Sequence, residues 1–110
     1  MSEYDVIVVG GGVAGISASI AAARLGCKVA LVHNRPVLGG NFSSEIRVHI
    51  TGAAGGGHMF ARESGIVDEI VTGAKFSSIF NESVWLEPGQ DIVLLDMVRC
   101  ESNVELFLEV

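Results

Sequence analysis

In the stretch VIVVGGGVAG, the glycines at Gly10, Gly12 and Gly15 are the residues of this chain best spaced to do chemistry. That chemistry is the holding of an anion, with no bond made or broken. In a G-x-G-x-x-G pattern the first glycine permits a tight turn out of a strand. The second lets a pyrophosphate reach the backbone, and the third lets the following helix pack closely. Free N–H groups at Val13 and Ala14, together with the helix dipole, would favour phosphate oxygens. Alone, the pattern is weak. Here it follows an apolar β-branched run and opens a segment of small residues, which is the context that gives it specificity. The alternative is a plain glycine-rich turn with no ligand.

About twenty residues beyond such a turn, an acidic residue usually binds a ribose hydroxyl. That position holds His33, followed by Asn34 and Arg35. A neutral histidine can accept one hydrogen bond, and Asn34 can accept through its amide oxygen. Arg35 could accommodate the 2′-phosphate of NADP, or it could be a solvated turn residue before Pro36. A second glycine pair follows in VLGGN. Gly39, Gly40 and Asn41 would expose further N–H donors near the C-terminal edge of a sheet, where ligands bind in open α/β folds. A long, extended dinucleotide needs those donors more than NAD does. Arg47 could pair with an anionic group and His49 could act as a base, though both read more readily as ordinary strand residues. Three histidines without a spacing pattern make a metal site unexpected. No G-x-S-x-G is present, which leaves no nucleophile elbow. Trp85 reads as a packing anchor. GAAGGGH, ending at His58, reads as a loop beside the site or as a linker.

These residues need elements to place them. Residues 4–9 form an unalternating apolar run, the pattern of a strand buried on both faces of a parallel sheet. Residues 13–25 read as a helix whose small residues Ala14, Ala18, Ala21 and Ala22 would let it lie close on that sheet. Gly26 is placed to end it. Residues 28–32 form a second strand, completing a βαβ unit whose crossover should be right-handed. A short strand is possible over 46–50. A helix is expected over 65–71, with Ile66, Val67, Ile70 and Val71 on one face and Ser64 as a cap. Residues 76–90 read as loop with short turns. Residues 91–100 read as another helix, with either Ile92, Leu95 and Val98 or Leu94 and Val98 inward. NVELFLEV alternates, with Val104, Leu106, Leu108 and Val110 on one side, and gives a third strand.

The 110 residues suffice for one small domain. A composition of 49% hydrophobic and 18% charged residues is globular. Residues 1–57 hold four Lys/Arg against three Asp/Glu, whereas residues 58–110 hold three against ten. This acidic balance, with no basic cluster, argues against nucleic-acid binding and against anchoring on an anionic membrane. Cys27 and Cys100 lie far apart and form no C-x-x-C, which points to two buried, reduced thiols. The opening MSEYDVIVVGGG has no basic leader and its apolar run is broken by glycine, so a cytoplasmic location is expected. Three parallel strands with helices on one side would leave a bare apolar face. We therefore expect an N-terminal portion of a longer chain, prone to oligomerise through that face if made alone.

The stretch DVIVVGGGVAGISASIAAARLGCKVALVHNRPVLGGNFSSEIRVHITGA resembles the FAD-dependent oxidoreductases of the glutathione-reductase-like superfamily. It is most similar to an FAD-dependent oxidoreductase family that includes members described as xanthan-lyase-like. The resemblance continues more loosely through ARESGIVDEI, SVWL and NVELFLEV. It implies an incomplete Rossmann-like, three-layer FAD/NAD(P)-binding α/β domain with a parallel sheet over residues 1–110. It further implies an oxidoreductase acting on a small-molecule substrate through FAD. By that resemblance Gly10, Gly12, Val13, Ala14 and Gly15 would line the pyrophosphate, and His33 and Asn34 would sit at the adenosine ribose. Arg35, Gly39, Gly40 and Asn41 would hold the pyrophosphate–ribitol region, with Ser43, Ser44, Glu45 and Arg47 approaching the flavin. His33 departs from most of the superfamily, where Glu is usual; in the family itself Gln-Asp commonly follows the second strand, so a non-acidic first residue is compatible with the resemblance. An NADP-binding reductase unit and a non-catalytic nucleotide-binding module remain the alternatives.

Overall fold

The structure, a computed structural model, describes residues 2–51, 59–62, 64–78 and 89–110. Strand β1 (Val6–Val9) leads through the glycine turn into helix α1 (Val13–Arg24), and strand β2 (Val29–Val32) follows. A single 3-10 turn occupies Gly40–Phe42. Helices α2 (Ile66–Ser78) and α3 (Gly89–Arg99) come next, and strand β3 (Val104–Phe107) closes the series. The strands form one parallel sheet in the order β1-β2-β3. Among the described residues this is an incomplete Rossmann-like α/β fold.

Register decides which side chains meet. Val6, Val29 and Val104 lie abreast, as do Val8, Leu31 and Leu106. These rows face the helices, where Ile16, Ile20, Leu38, Ile70, Leu94 and Val98 complete the core. Central strand β2 is covered on both faces, because Val29, Ala30 and Leu31 are all buried. Strand β1 is not. Ile7 is 64% exposed and Val9 83% exposed, so the double burial expected of β1 fails there. On the outer face the Tyr4 ring meets Phe107 edge-on at a centroid distance of 6.4 Å. The Tyr4 hydroxyl donates to Glu105.

Helix α1 buries Ile16, Ser19, Ile20 and Ala23. Ala14, Ala18 and Ala21 face outward, contrary to the expected alanine contact. Ile16 and Ile20 fill the inner face beside the small Ser19 and Ala23, Ala22 is half-buried, and alanine on the outer face still favours helix. The helix ends one residue early, with Leu25 as its C-cap and Gly26 at φ 96°. Helix α2 runs past the expected end at residue 71. Gly73 does not break it, because glycine is needed for close packing: a Cβ there would lie 2.9 Å from Val93 Cγ1 of α3. Helix α3 starts two residues before the expected position and buries Leu94 and Val98, while Ile92 is exposed. Residues 76–78 and 89–90 are therefore helical rather than loop, and the rest of that loop lies outside the described residues. The possible strand over 46–50 is absent. Arg47 takes a left-handed φ of 66°, which breaks an extended run, and Ile46 and Val48 are exposed. Cys27 is half-buried and Cys100 exposed, so the expected pair of buried thiols is not found, although both thiols are free. Each lies just past a helix end, one after α1 and the other after α3.

Arg24 ties the helical layer together. Its guanidinium donates to both Glu69 carboxylate oxygens at 2.6 and 2.9 Å, and to Glu101 at 2.7 Å. One cation at the end of α1 thus holds α2 and the turn before β3.

Candidate cofactor site

The glycine turn sits at the C-terminal edge of the sheet. Gly10 has φ 111°, a conformation open to glycine, and its N–H still reaches Val32 O at 2.8 Å. The chain can then drop directly into α1 because Gly15 has no side chain. A Cβ there would stand 1.8 Å from the Gly10 carbonyl oxygen. Gly12 is the reverse case: a Cβ would meet nothing within 4 Å, so its face opens onto free space. It is also the N-cap of α1, and no side chain caps the helix there. The first turn, which includes Val13 and Ala14, contains no acidic residue. No side-chain cap or acidic group therefore occupies this helix start, where the positive end of the helix dipole lies.

The second glycine segment meets the first. Gly39, at φ 116°, forms a parallel bridge with Gly12, and its N–H donates to Gly11 O at 2.7 Å. A Cβ on Gly40 would approach Gly12 Cα to 3.3 Å. Leu94 packs beneath Gly39, where a Cβ would lie 2.7 Å from Leu94 Cδ1. Thus Gly10, Gly12, Val13, Ala14, Gly15, Gly39 and Gly40 form one lip, with Asn34 and Asn41 exposed nearby along the chain.

The remaining expected site residues are employed in holding this loop. Ser43 is buried, and its hydroxyl donates to Gly40 O at 2.7 Å. The Ser44 N–H donates to Asp91 Oδ1 at 2.9 Å, and its hydroxyl donates to the other carboxylate oxygen. Arg35 grips Glu45 with two bonds, at 3.1 and 2.8 Å. Those bonds hold the Glu45 carboxyl below its ordinary range, burial opposing them and the positive charge of Arg35 adding to them. A cation so paired is poorly disposed to take a 2′-phosphate, which counts against the NADP alternative. Arg47 is exposed and donates to Ser44 O at 3.0 Å, and His49 is exposed. Trp85 and the 52–58 stretch ending at His58 lie outside the described residues.

His33 behaves differently from an exposed ribose ligand. It is only 8% exposed, and its Nδ1 accepts the Gly11 N–H at 2.9 Å. Its Nε2 is buried without a hydrogen-bond partner among the described residues. Sequence reasoning missed three residues here. Gly11 was hidden inside GGG as a spacer, although a third consecutive glycine was a signal. Asp91 and Leu94 reach the loop across nearly half the chain, and no local pattern announces that.

An open face over Gly12, an uncapped helix start and a buried, unpartnered imidazole nitrogen suit the pyrophosphate end of a dinucleotide. The fold and this lip define a dinucleotide-binding α/β unit. A sequence model of the FAD dependent oxidoreductase family matches residues 5–110. The chain belongs to that family, and its cofactor is FAD. It is 58% identical over 39 residues to a soluble pyridine nucleotide transhydrogenase of Ectopseudomonas mendocina, a stretch covering 36% of this chain and 8% of the relative. A Stutzerimonas stutzeri transhydrogenase is 55% identical over 39 residues, again 36% and 8%. This chain is also 66% identical over 29 residues to the tRNA uridine 5-carboxymethylaminomethyl modification enzyme MnmG of Streptococcus pneumoniae, a stretch covering 26% of this chain and 5% of that relative. The matched stretches thus span less than a tenth of those relatives. Among the described residues, no helix is long and apolar enough to cross a membrane.

Proposed function

We propose that this chain is the FAD-binding segment of a flavin-dependent oxidoreductase that moves a hydride between a small-molecule substrate and the flavin. The observation that carries the reading is the Gly12–Gly39 bridge, which joins two glycine segments into one lip over open space. The chemistry FAD supplies when bound is two-electron exchange with a substrate. The chain's own work is to bind and orient. The first turn of α1 takes the pyrophosphate, with Asn34 at the adenosine end and Gly39, Gly40 and Asn41 along the ribitol. Ser43 and Ser44 stiffen the loop that leads toward the flavin. Arg47 offers an exposed positive charge for an anionic group on the substrate side. A reducing, cytoplasmic setting is supported by the two free thiols.

The 110 residues alone are expected to bind FAD weakly, because the lip contacts only part of so long a ligand. The full natural chain is expected to purify yellow, with bands at roughly 375 and 450 nm. A colourless full chain that takes up no added FAD would sink the reading. A colourless chain that binds NADP, and loses it on Arg35→Ala, would replace it with the reductase alternative.

A further inference from the structure

We propose that His33 is a positioning residue of the FAD site: it holds the glycine turn through Gly11 and is not the ribose acceptor that its place after β2 implies. The proposal rests on the FAD reading above and deepens it.

Gly11 is fastened on both sides. Its N–H donates to His33 Nδ1 at 2.9 Å, and its carbonyl accepts from Gly39 N–H at 2.7 Å. Both polar groups that this glycine could offer a ligand are therefore consumed inside the protein. The packing is equally close. A Cβ on Gly11 would lie 2.5 Å from Leu38 Cδ2 and 2.8 Å from His33 Cγ. The imidazole is itself held by its backbone: His33 N–H donates to Phe107 O at 2.8 Å, and its carbonyl accepts from Val110 N–H at 3.3 Å. Strand β3 thus fixes His33, His33 fixes Gly11, and Gly11 sets where Gly12 and the start of α1 face the open space.

A neutral imidazole has one acceptor nitrogen and one donor nitrogen. With Nδ1 accepting from Gly11, the proton sits on Nε2. No lone pair is left for a ribose hydroxyl to donate into. A carboxylate has about four lone-pair positions and could hold both the turn and the ribose; the imidazole must choose, and here it holds the turn. The missing acid is thus replaced in its structural duty; accepting from the ribose hydroxyls is left to Asn34 and the backbone, and His33 keeps only its Nε2–H to donate.

The test is an amide swap in the full natural chain. Asparagine places an oxygen where Nδ1 stands, whereas glutamine places its amide where Nε2 stands. We expect His33→Asn to keep FAD affinity within about threefold, and His33→Gln to weaken it roughly tenfold, the equilibrium weight of one buried hydrogen bond. Hydrogen exchange of the Gly11 amide should stay slow in the wild type and His33→Asn and become fast in His33→Gln. Should glutamine hold FAD as well as or better than asparagine, the positioning role is wrong. A nitrogen-15 spectrum of the unsubstituted chain gives an answer that needs neither variant nor flavin: the proton should be on Nε2, and finding it on Nδ1 overturns the proposal. Failure of the FAD reading would appear separately, as wild-type chain without flavin affinity but with the Gly11 amide still protected.

Discussion

At the scale of single residues, the glycines of the turn serve two purposes that the spacing pattern does not separate. Gly15 is required by the protein itself, because its Cβ would collide with the Gly10 carbonyl oxygen at 1.8 Å. Gly12 carries no such internal requirement, because its Cβ would enter empty space at an ordinary φ of −73°, and under the proposed function its bareness serves the ligand. Gly15→Ala should therefore lower unfolding stability by about 3 kcal/mol or more, as overpacking against backbone does. Gly12→Ala should leave stability within about 1 kcal/mol, since a glycine at a compatible φ gains from alanine in the unfolded state. It should still cost roughly tenfold or more in FAD affinity. Denaturant titration and flavin titration of the two variants separate these effects. Equal losses of stability would show that Gly12 also bears on the fold.

At the scale of elements, the helices act on the site from behind. Leu94 of α3 supports Gly39, and Asp91 in the first turn of the same helix holds Ser44, so one helix sets the loop at two points. The placement of α1 relative to α2 depends on Arg24 and Glu69. Hydrogen bonds from Arg24 hold the Glu69 carboxyl below its ordinary value; a slight burial cost opposes them and the Arg24 charge adds to them. A depressed folded value favours folding above the unfolded value, about 4.3 for glutamate, and the benefit is lost as pH falls through the folded value. The wild type should therefore melt higher than Glu69→Gln at pH 7, with the gap closing between about pH 5 and pH 3. Melting curves across that range check it, and a gap unchanged at pH 3 would rule out this ion pair as the source.

At the scale of the whole molecule, the parts legible in the sequence were those governed by local pattern. The βαβ unit, the glycine turn, the end of α1 at Gly26 and the inward pair Leu94 and Val98 all follow from periodicity and turn chemistry. What stayed hidden was set by contacts distant in the chain. Gly73 looks like a stop and is a close approach to Val93. His33 looks like a displaced ligand residue and is tied to Gly11. Residues 46–50 look like a strand, yet Arg47 turns left-handed. The expected bare face is present at Ile7 and Val9. The 110 residues made alone should self-associate through it as concentration rises, and Val9→Lys should return them to a monomer. Sedimentation velocity reads this directly; a monomer at high concentration without the substitution would argue that the face needs no cover.

The bond from His33 N–H to Phe107 O has a consequence in time. Gly12 and Gly39 are near in sequence, so their bridge closes a short loop and can form while the chain is still leaving the ribosome. Strand β3 must return from residue 104 to lie beside residue 29, a larger loop with a greater closure cost. By loop-closure cost the lip should be sketched early and made rigid later, once β3 docks and steadies the imidazole. A nascent chain that has not yet released β3 would present the glycine turn without the brace that keeps it in shape, and cofactor loading would have to wait for β3.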